Sequence, residues 1–260
     1  MSGSLVTYTL EGHVARITLN RPEAMNAMNV AMLKDLHAVA DRFAADEEAW
    51  VAVLHGEGRS FCTGGDLKES LELLDGNPGN LYVLPRTGIA AIKAMKDAPK
   101  PTICAVHGYA VAGGLLLANA CHLIVAGESA KFGIPETKVG MPTMGYLDLW
   151  KTMGPRKFME ATFTGDNFTA QEGVAMGLVN RVVPDDQVLE EAMAMARKIA
   201  GNSPRSVQGH VQAITMSVKH TPDVLEDLQR LIWDKVVFSE DLQEGLTAFG
   251  ERRKPEWKNR

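Results

Sequence analysis

The 260-residue sequence has little cysteine: three residues, Cys62, Cys104 and Cys121. An odd, widely spaced set supplies neither a disulfide frame nor zinc-site spacing, and it suits the reducing cytoplasm expected as the compartment here. Long hydrophobic runs are missing too. No apolar stretch approaches the roughly 18–20 residues that a membrane span needs, so no membrane partner is expected. Met1 to Leu10 lacks a basic segment followed by an apolar one, which argues against a secretory signal. There is no excess of positive charge. Lys and Arg number 27 against 32 Asp and Glu, for a formal net charge of −5, which makes nucleic acid a poor candidate partner. That balance does not exclude a polyanionic ligand, because a few local cations and backbone donors can bind one. Several catalytic signatures are absent. No Gly-Lys-Ser/Thr phosphate loop, Gly-x-Ser-x-Gly elbow or His-Glu-x-x-His zinc motif occurs.

What is present is ordinary for a globular chain, with 45% hydrophobic and 23% charged residues, enough for one large domain with or without a helical appendage. Val14 to Leu19 alternates like a half-buried strand. Asn29 stands as the N-cap of a helix to about Asp46, with Met32, Leu33, Leu36, Val39, Ala40 and Phe43 at helical spacing. Trp50 to Leu54 reads as a strand, Asp66 to Leu74 as a helix, 77–80 as a loop and Arg86 to Asp97 as another helix. Then come a strand over Pro101 to Val106, a glycine-rich turn over Gly108 to Gly114, a short helix over Leu115 to Ala120 and a strand over His122 to Ala126. Thr169 to Met176 and Val179 to Val183 add a last helix and strand. Strands alternating with helices after tight turns predict α/β architecture. Beyond about Asp186 only helical patterns remain, with starts at Pro204 and Thr221-Pro222-Asp223. The expected division is a core over 1–195 and a helical region over 196–260, whose apolar faces pack on the core or on another subunit.

Two glycine turns carry the chemistry. In Arg59-Ser60-Phe61-Cys62-Thr63-Gly64-Gly65-Asp66-Leu67 a strand ends and a helix begins at Asp66, which can serve as that helix's cap. In His107-Gly108-Tyr109-Ala110-Val111-Ala112-Gly113-Gly114-Leu115 another strand gives way to another helix. It does not fit Gly-x-Gly-x-x-Gly. Helix N-termini leave N–H groups unpaired, and glycines let a ligand approach the backbone. Two such turns could aim two N–H donors at one oxygen, as a thioester carbonyl requires when it becomes an enolate or tetrahedral oxyanion. Either turn alone reads more readily as a plain tight turn.

Taken in order, these stretches resemble the crotonase superfamily, the enoyl-CoA hydratase/isomerase family. The likeness runs from Asn20-Arg21-Pro22 and Met25-Asn26-Ala27-Met28 through both glycine turns to Phe132-Gly133-Ile134-Pro135-Glu136. It continues at Thr164-Gly165 and Gly177-Leu178-Val179 and closes on Ala248-Phe249-Gly250-Glu251-Arg252-Arg253-Lys254-Pro255. The resemblance implies an α/β spiral of ββα/βαβ turns with a C-terminal helical trimerisation region, assembled as a homotrimer or a hexamer of two trimers. It implies an oxyanion hole made by the N–H groups of Gly65 and Gly113. It also implies a coenzyme A site lined by backbone around Ala24, Met25 and Ala27 and around Thr63, Gly64, Gly65, Asp66 and Leu67. Phe249 and Arg252 match positions where a neighbouring subunit's tail reaches the coenzyme. The substrate is then an acyl-CoA thioester, with no cofactor beyond its own coenzyme A moiety and no metal.

The carboxylates should decide the reaction. Family hydratases carry two glutamates, one to handle water and one to handle the α-proton. The second position here is Glu136, but the first is Leu116, which can do neither. A related dienoyl isomerase pattern puts an aspartate where this chain has Met144. One retained carboxylate suits a proton shuttle, the arrangement of the family's enoyl-CoA isomerases, and Glu136 is the expected catalytic residue. The alternatives are a hydratase with an atypical second base, an acyl-CoA decarboxylase or hydrolase, and a non-catalytic coenzyme A-binding scaffold. Asp148, His122, His107 and Tyr109 are weaker candidates, read as structural. The segment 140–146 is shorter than in typical hydratases.

Overall fold

The computed structural model describes residues 4–142, 149–219 and 222–260, with residues 218–219 and 222–228 described by backbone alone. Strands β1 (Val6–Glu11) and β2 (Val14–Leu19) pair antiparallel. Helix α1 (Val30–Ala45) starts where expected: the Asn29 side chain accepts the Met32 N–H, and Met32, Leu33, Leu36, Ala40 and Phe43 are buried. Strand β3 (Val51–Gly56) and helix α2 (Leu67–Leu74) follow. A 3-10 turn over Pro78–Tyr82 occupies the expected loop and leads straight into α3 (Val83–Lys96), which therefore begins earlier than the sequence predicted.

Strand β4 (Thr102–Val106) is succeeded by β5 (Tyr109–Val111), so the second glycine turn is partly strand. Helix α4 (Gly113–Ala120) and strands β6 (Leu123–Gly127) and β7 (Lys131–Gly133) come next. Helices α5 (Leu149–Met153) and α6 (Pro155–Thr164), strand β8 (Phe168–Thr169), helix α7 (Ala170–Ala175) and strand β9 (Arg181–Val183) complete the α/β part. The chain ends in α8 (Val188–Ala200), α9 (Pro204–Lys219), α10 (Pro222–Val237) and α11 (Glu240–Glu251).

The main sheet has the order β1-β2-β3-β4-β6-β9 and is parallel from β2 onward. Both of its faces are covered. Ile17, Leu54, Cys104 and Ile124 join the core with α1, α3 and α4. Val14, Val51, Val53, Ile103 and Val125 face α8. Burial on both sides explains why Val51 to Leu54 of β3 and Ile103 to Val106 of β4 are unbroken apolar runs. The second sheet, β5-β7-β8, pairs β5 parallel with β7. Helix α8 runs through the expected boundary at 195/196, and its Ala192, Met193 and Ala196 all pack on the sheet. Among the described residues no helix is long and apolar enough to cross a membrane.

Candidate active site

Parallel strands gather their C-terminal ends on one edge, where open α/β sheets bind ligands. The loops after β2, β3 and β4 meet there. The first is held by Asn26, fully buried. Its side chain accepts the Arg21 N–H at 2.8 Å and donates to the carbonyls of Glu57 and Ser60, each at 2.9 Å. These bonds stabilise two consecutive left-handed residues, Met25 (φ 50°) and Asn26 (φ 54°). The first loop is in turn tied to the second. Thr63 N–H donates to the Met25 carbonyl at 3.3 Å, Met28 N–H to that of Gly64 at 2.7 Å, and Asp66 N–H to that of Met28 at 3.1 Å. The expected coenzyme-lining backbone around Ala24, Met25 and Ala27 is thus brought beside Thr63 to Leu67.

The second loop is tied to the third by a short parallel ladder. Cys62 N–H donates to the Tyr109 carbonyl at 2.9 Å, and Val111 N–H donates to the Cys62 carbonyl at 3.2 Å. Glycine makes this approach possible at two points. A Cβ on Gly64, whose φ is 94°, would lie 2.7 Å from that of Ala112, and one on Gly114 would lie 2.1 Å from the Cys62 carbonyl oxygen. Ala112 itself is strained, at φ 51° and ψ −131°, and this bend begins α4 at Gly113. As the first helical residue, Gly113 has an N–H that its own helix cannot satisfy.

The two glycine turns thereby become close neighbours. A Cβ placed on Gly113 would stand 3.7 Å from the Gly65 nitrogen. Gly65 differs from its neighbours. Its φ is not positive, and a Cβ there would meet no protein atom within 4 Å. Neither a positive φ nor packing requires glycine at 65, and its open side faces free space.

That space is a cavity of about 320 Å³ with a largely apolar wall. Gly65, Gly113, Thr63, Leu67, Leu116 and Glu136 all line it. Glu136 lies in a 3-10 turn (Pro135–Val139) after β7, and one of its carboxyl oxygens is shielded from solvent. Glu136 is the single acidic residue of the wall among the described residues. Met144 and Asp148 lie outside the described residues.

Other candidates are placed elsewhere. The Asp66 carboxylate caps α2, accepting the N–H groups of Lys68 and Glu69 at 2.9 and 3.3 Å, and pairs with Arg21 at 2.6 Å. Burial opposes its charge, but Arg21 and these N–H groups outweigh burial and hold the carboxyl below its usual range. Its side chain therefore serves the loop, as the capping reading expected, and does not line the cavity. The His122 Nδ1 bonds with the Thr102 hydroxyl at 2.8 Å, and burial lowers its pKa. The His107 Nε2 bonds with the Gly58 carbonyl at 2.8 Å. Phe249 is 85% exposed on α11, and Arg252 follows that helix in a left-handed conformation. Neither lines the cavity within this chain.

The sequence reading overlooked the wall contributed by α3: Leu84, Pro85, Gly88, Ile89 and Ile92. A signal existed. Leu84, Ala91, Ile92 and Met95 are buried while Ile89 is 42% exposed, so the apolar stripe is wider than one packed face needs. Among the described residues no group of three or more His, Cys, Asp or Glu side chains could hold a metal ion.

Comparison with known proteins identifies the family and the fold. The family model described as Enoyl-CoA hydratase/isomerase matches residues 9–260. A probable enoyl-CoA hydratase of Rhizobium meliloti is 37% identical over the whole of both chains. The (E)-benzylidenesuccinyl-CoA hydratase of Thauera aromatica is 38% identical, over 96% of this chain and 97% of its own. A crystal structure of an enoyl-CoA hydratase from Bacillus anthracis matches the fold with a TM-score of 0.94, at 29% identity, over 98% of this chain and all of that one.

Proposed function

The chain belongs to the enoyl-CoA hydratase/isomerase family, and from that premise we propose that it is an enoyl-CoA isomerase that uses one carboxylate, Glu136. The thioester carbonyl accepts the N–H groups of Gly65 and Gly113. The Glu136 carboxylate removes a proton from C2 of a 3-enoyl-CoA. The electron pair moves toward the thioester oxygen, where the two donors stabilise the dienolate. Protonated Glu136 returns the proton at C4, and the double bond moves to C2–C3. No electron leaves the substrate, and no group beyond its coenzyme A moiety is needed.

The observation that carries this reading is the pairing of Glu136 with Leu116 in one cavity wall. Hydration needs a second group to orient or deprotonate water, and leucine has no atom that can do so. The hydratase reading is the second one, favoured by the names of the relatives in Rhizobium meliloti and Thauera aromatica. It requires a water-handling group other than Leu116. A trimer or a pair of trimers is proposed with either reading. It would cover the exposed Phe249 and bring it, with Arg252, to a neighbour's coenzyme. Sedimentation as a monomer would exclude that assembly.

Two reactions separate the readings. A 3-enoyl-CoA is mixed with the protein and the absorbance of the conjugated 2-enoyl thioester is followed, while a parallel cuvette holds the 2-enoyl-CoA in water. Isomerase activity raises the first signal and leaves the second nearly constant. Rapid loss in the second refutes the isomerase assignment. Glu136→Gln should lower turnover by about 10²–10⁴-fold with coenzyme A ligands still bound. Unchanged turnover would remove Glu136 from the mechanism.

A further inference from the structure

Helix α3 is weakly built on the side that faces the cavity. Pro85 stands in its first turn, the Thr87 hydroxyl donates back to the Val83 carbonyl at 2.8 Å, and Gly88 lies in its interior. Proline is tolerated in a first turn, but glycine in a helix interior is a poor helix former, and a back-bonded hydroxyl loosens a helix further. Neither conformation nor packing explains Gly88. Its φ is not positive. A Cβ there would meet only the Cδ1 and Cδ2 atoms of Leu33, at 3.7 and 3.8 Å, which is ordinary contact. At Gly56, by contrast, a Cβ would strike the Phe61 carbonyl oxygen at 2.4 Å. Alanine therefore fits at 88, and the helix would gain from it.

What the missing side chain leaves is room, and that room is in the cavity. Gly88 and Leu33 both line it. Leu84 and Ile92 stand four residues to either side of Gly88, on the same face of α3, and line it too. The face reads large, empty, large, which is a notch. The cavity's size agrees: at about 320 Å³ it is roughly twice the ~150 Å³ of an apolar cavity that holds benzene.

We propose that Gly88 is a specificity-determining residue, and that the notch between Leu84 and Ile92 receives a ring or branch of the acyl group. The preferred substrate is then a bulky acyl-CoA and not one with a slim linear chain. This rests on the acyl-CoA reading above, but not on the choice between isomerase and hydratase.

The test uses saturated, unreactive ligands. Calorimetric titration of the full-length protein with butyryl-CoA and 3-phenylpropionyl-CoA should show the phenyl ligand bound at least as tightly. Gly88→Val should weaken 3-phenylpropionyl-CoA by about tenfold or more and leave butyryl-CoA within about twofold. Gly88→Ala should raise Tm by about 2 °C. Equal losses for both ligands, an unchanged ratio, a wild-type preference for butyryl-CoA, or a Gly88→Ala variant several degrees less stable would each overturn the notch. Failure of the wild-type protein to bind either ligand would overturn the acyl-CoA reading itself.

Discussion

Replacing Gly65 and Gly114 separately by alanine should give opposite phenotypes, although both glycines flank the same proposed oxyanion hole. At Gly114 the new methyl would lie 2.1 Å from the Cys62 carbonyl oxygen and 2.8 Å from its carbon, roughly 1 Å or more inside van der Waals contact. That oxygen also accepts the Val111 N–H at 3.2 Å, so relieving the clash stretches the ladder joining the two loops. Overpacking of this kind costs about 1–3 kcal/mol and a lost hydrogen bond about 0.5–1.5 kcal/mol, together about 1.5–4.5 kcal/mol. For a chain of this size Tm should fall by roughly 5–15 °C. At Gly65 nothing lies within 4 Å and φ is not positive, so stability should stay within about 0.5 kcal/mol of wild type. The methyl would, however, crowd the N–H proposed to hold the thioester oxygen. Loss of one such donor lowers kcat by about 10²–10³-fold. Thermal melts and turnover of a 3-enoyl-CoA, measured on both variants, check the pair. A Gly65→Ala protein that melts as early as Gly114→Ala, or one that stays folded and fully active, would refute the assignment of Gly65.

Further outcomes follow from the same geometry. Leu116→Glu places a second carboxylate in the cavity wall with Glu136, and should give the protein hydration of a 2-enoyl-CoA, read as loss of thioester conjugation. A folded variant with no gain would mean that a glutamate at 116 cannot reach the water. Asp66→Asn keeps a competent N-cap but leaves Arg21, 21% exposed, with only its looser 3.8 Å contact to the exposed Glu23. A destabilisation of about 1–3 kcal/mol near neutral pH is expected, below the roughly 3–5 kcal/mol of a fully buried pair. The folded-state pKa of Asp66 is depressed. Its contribution is therefore complete above the unfolded value of about 4 and lost as pH falls through the folded one. Urea titrations should show the gap between wild type and Asp66→Asn closing below about pH 4, and a gap constant with pH would contradict the ion pair.

Much of this was legible along the chain, because it depends on neighbours in sequence. Asn29 and Asp66 announce their helices by capping them, and apolar spacing outlines α1. The edge strand β1 was legible too, since Val6-Thr7-Tyr8-Thr9-Leu10-Glu11 alternates apolar and polar residues, but its outer half is exposed and the reading passed over it. Strand β5 was hidden in a glycine-rich stretch, since its pairing with β7 leaves no local mark.

The order of the motifs by itself determined the family, the pair of glycine turns and the exchange of a carboxylate for Leu116. Only the tertiary structure decided which glycine does what. Gly64 and Gly114 are there so that two loops can touch, while Gly65 and Gly88 leave room in the cavity. It also gave the Asp66 side chain to Arg21 and made α3 a wall of the cavity. The physical reason is common to all of these. A residue's spacing along the chain reports its local backbone. What its Cβ would meet depends on segments that approach only when the parallel sheet gathers its loops on one edge.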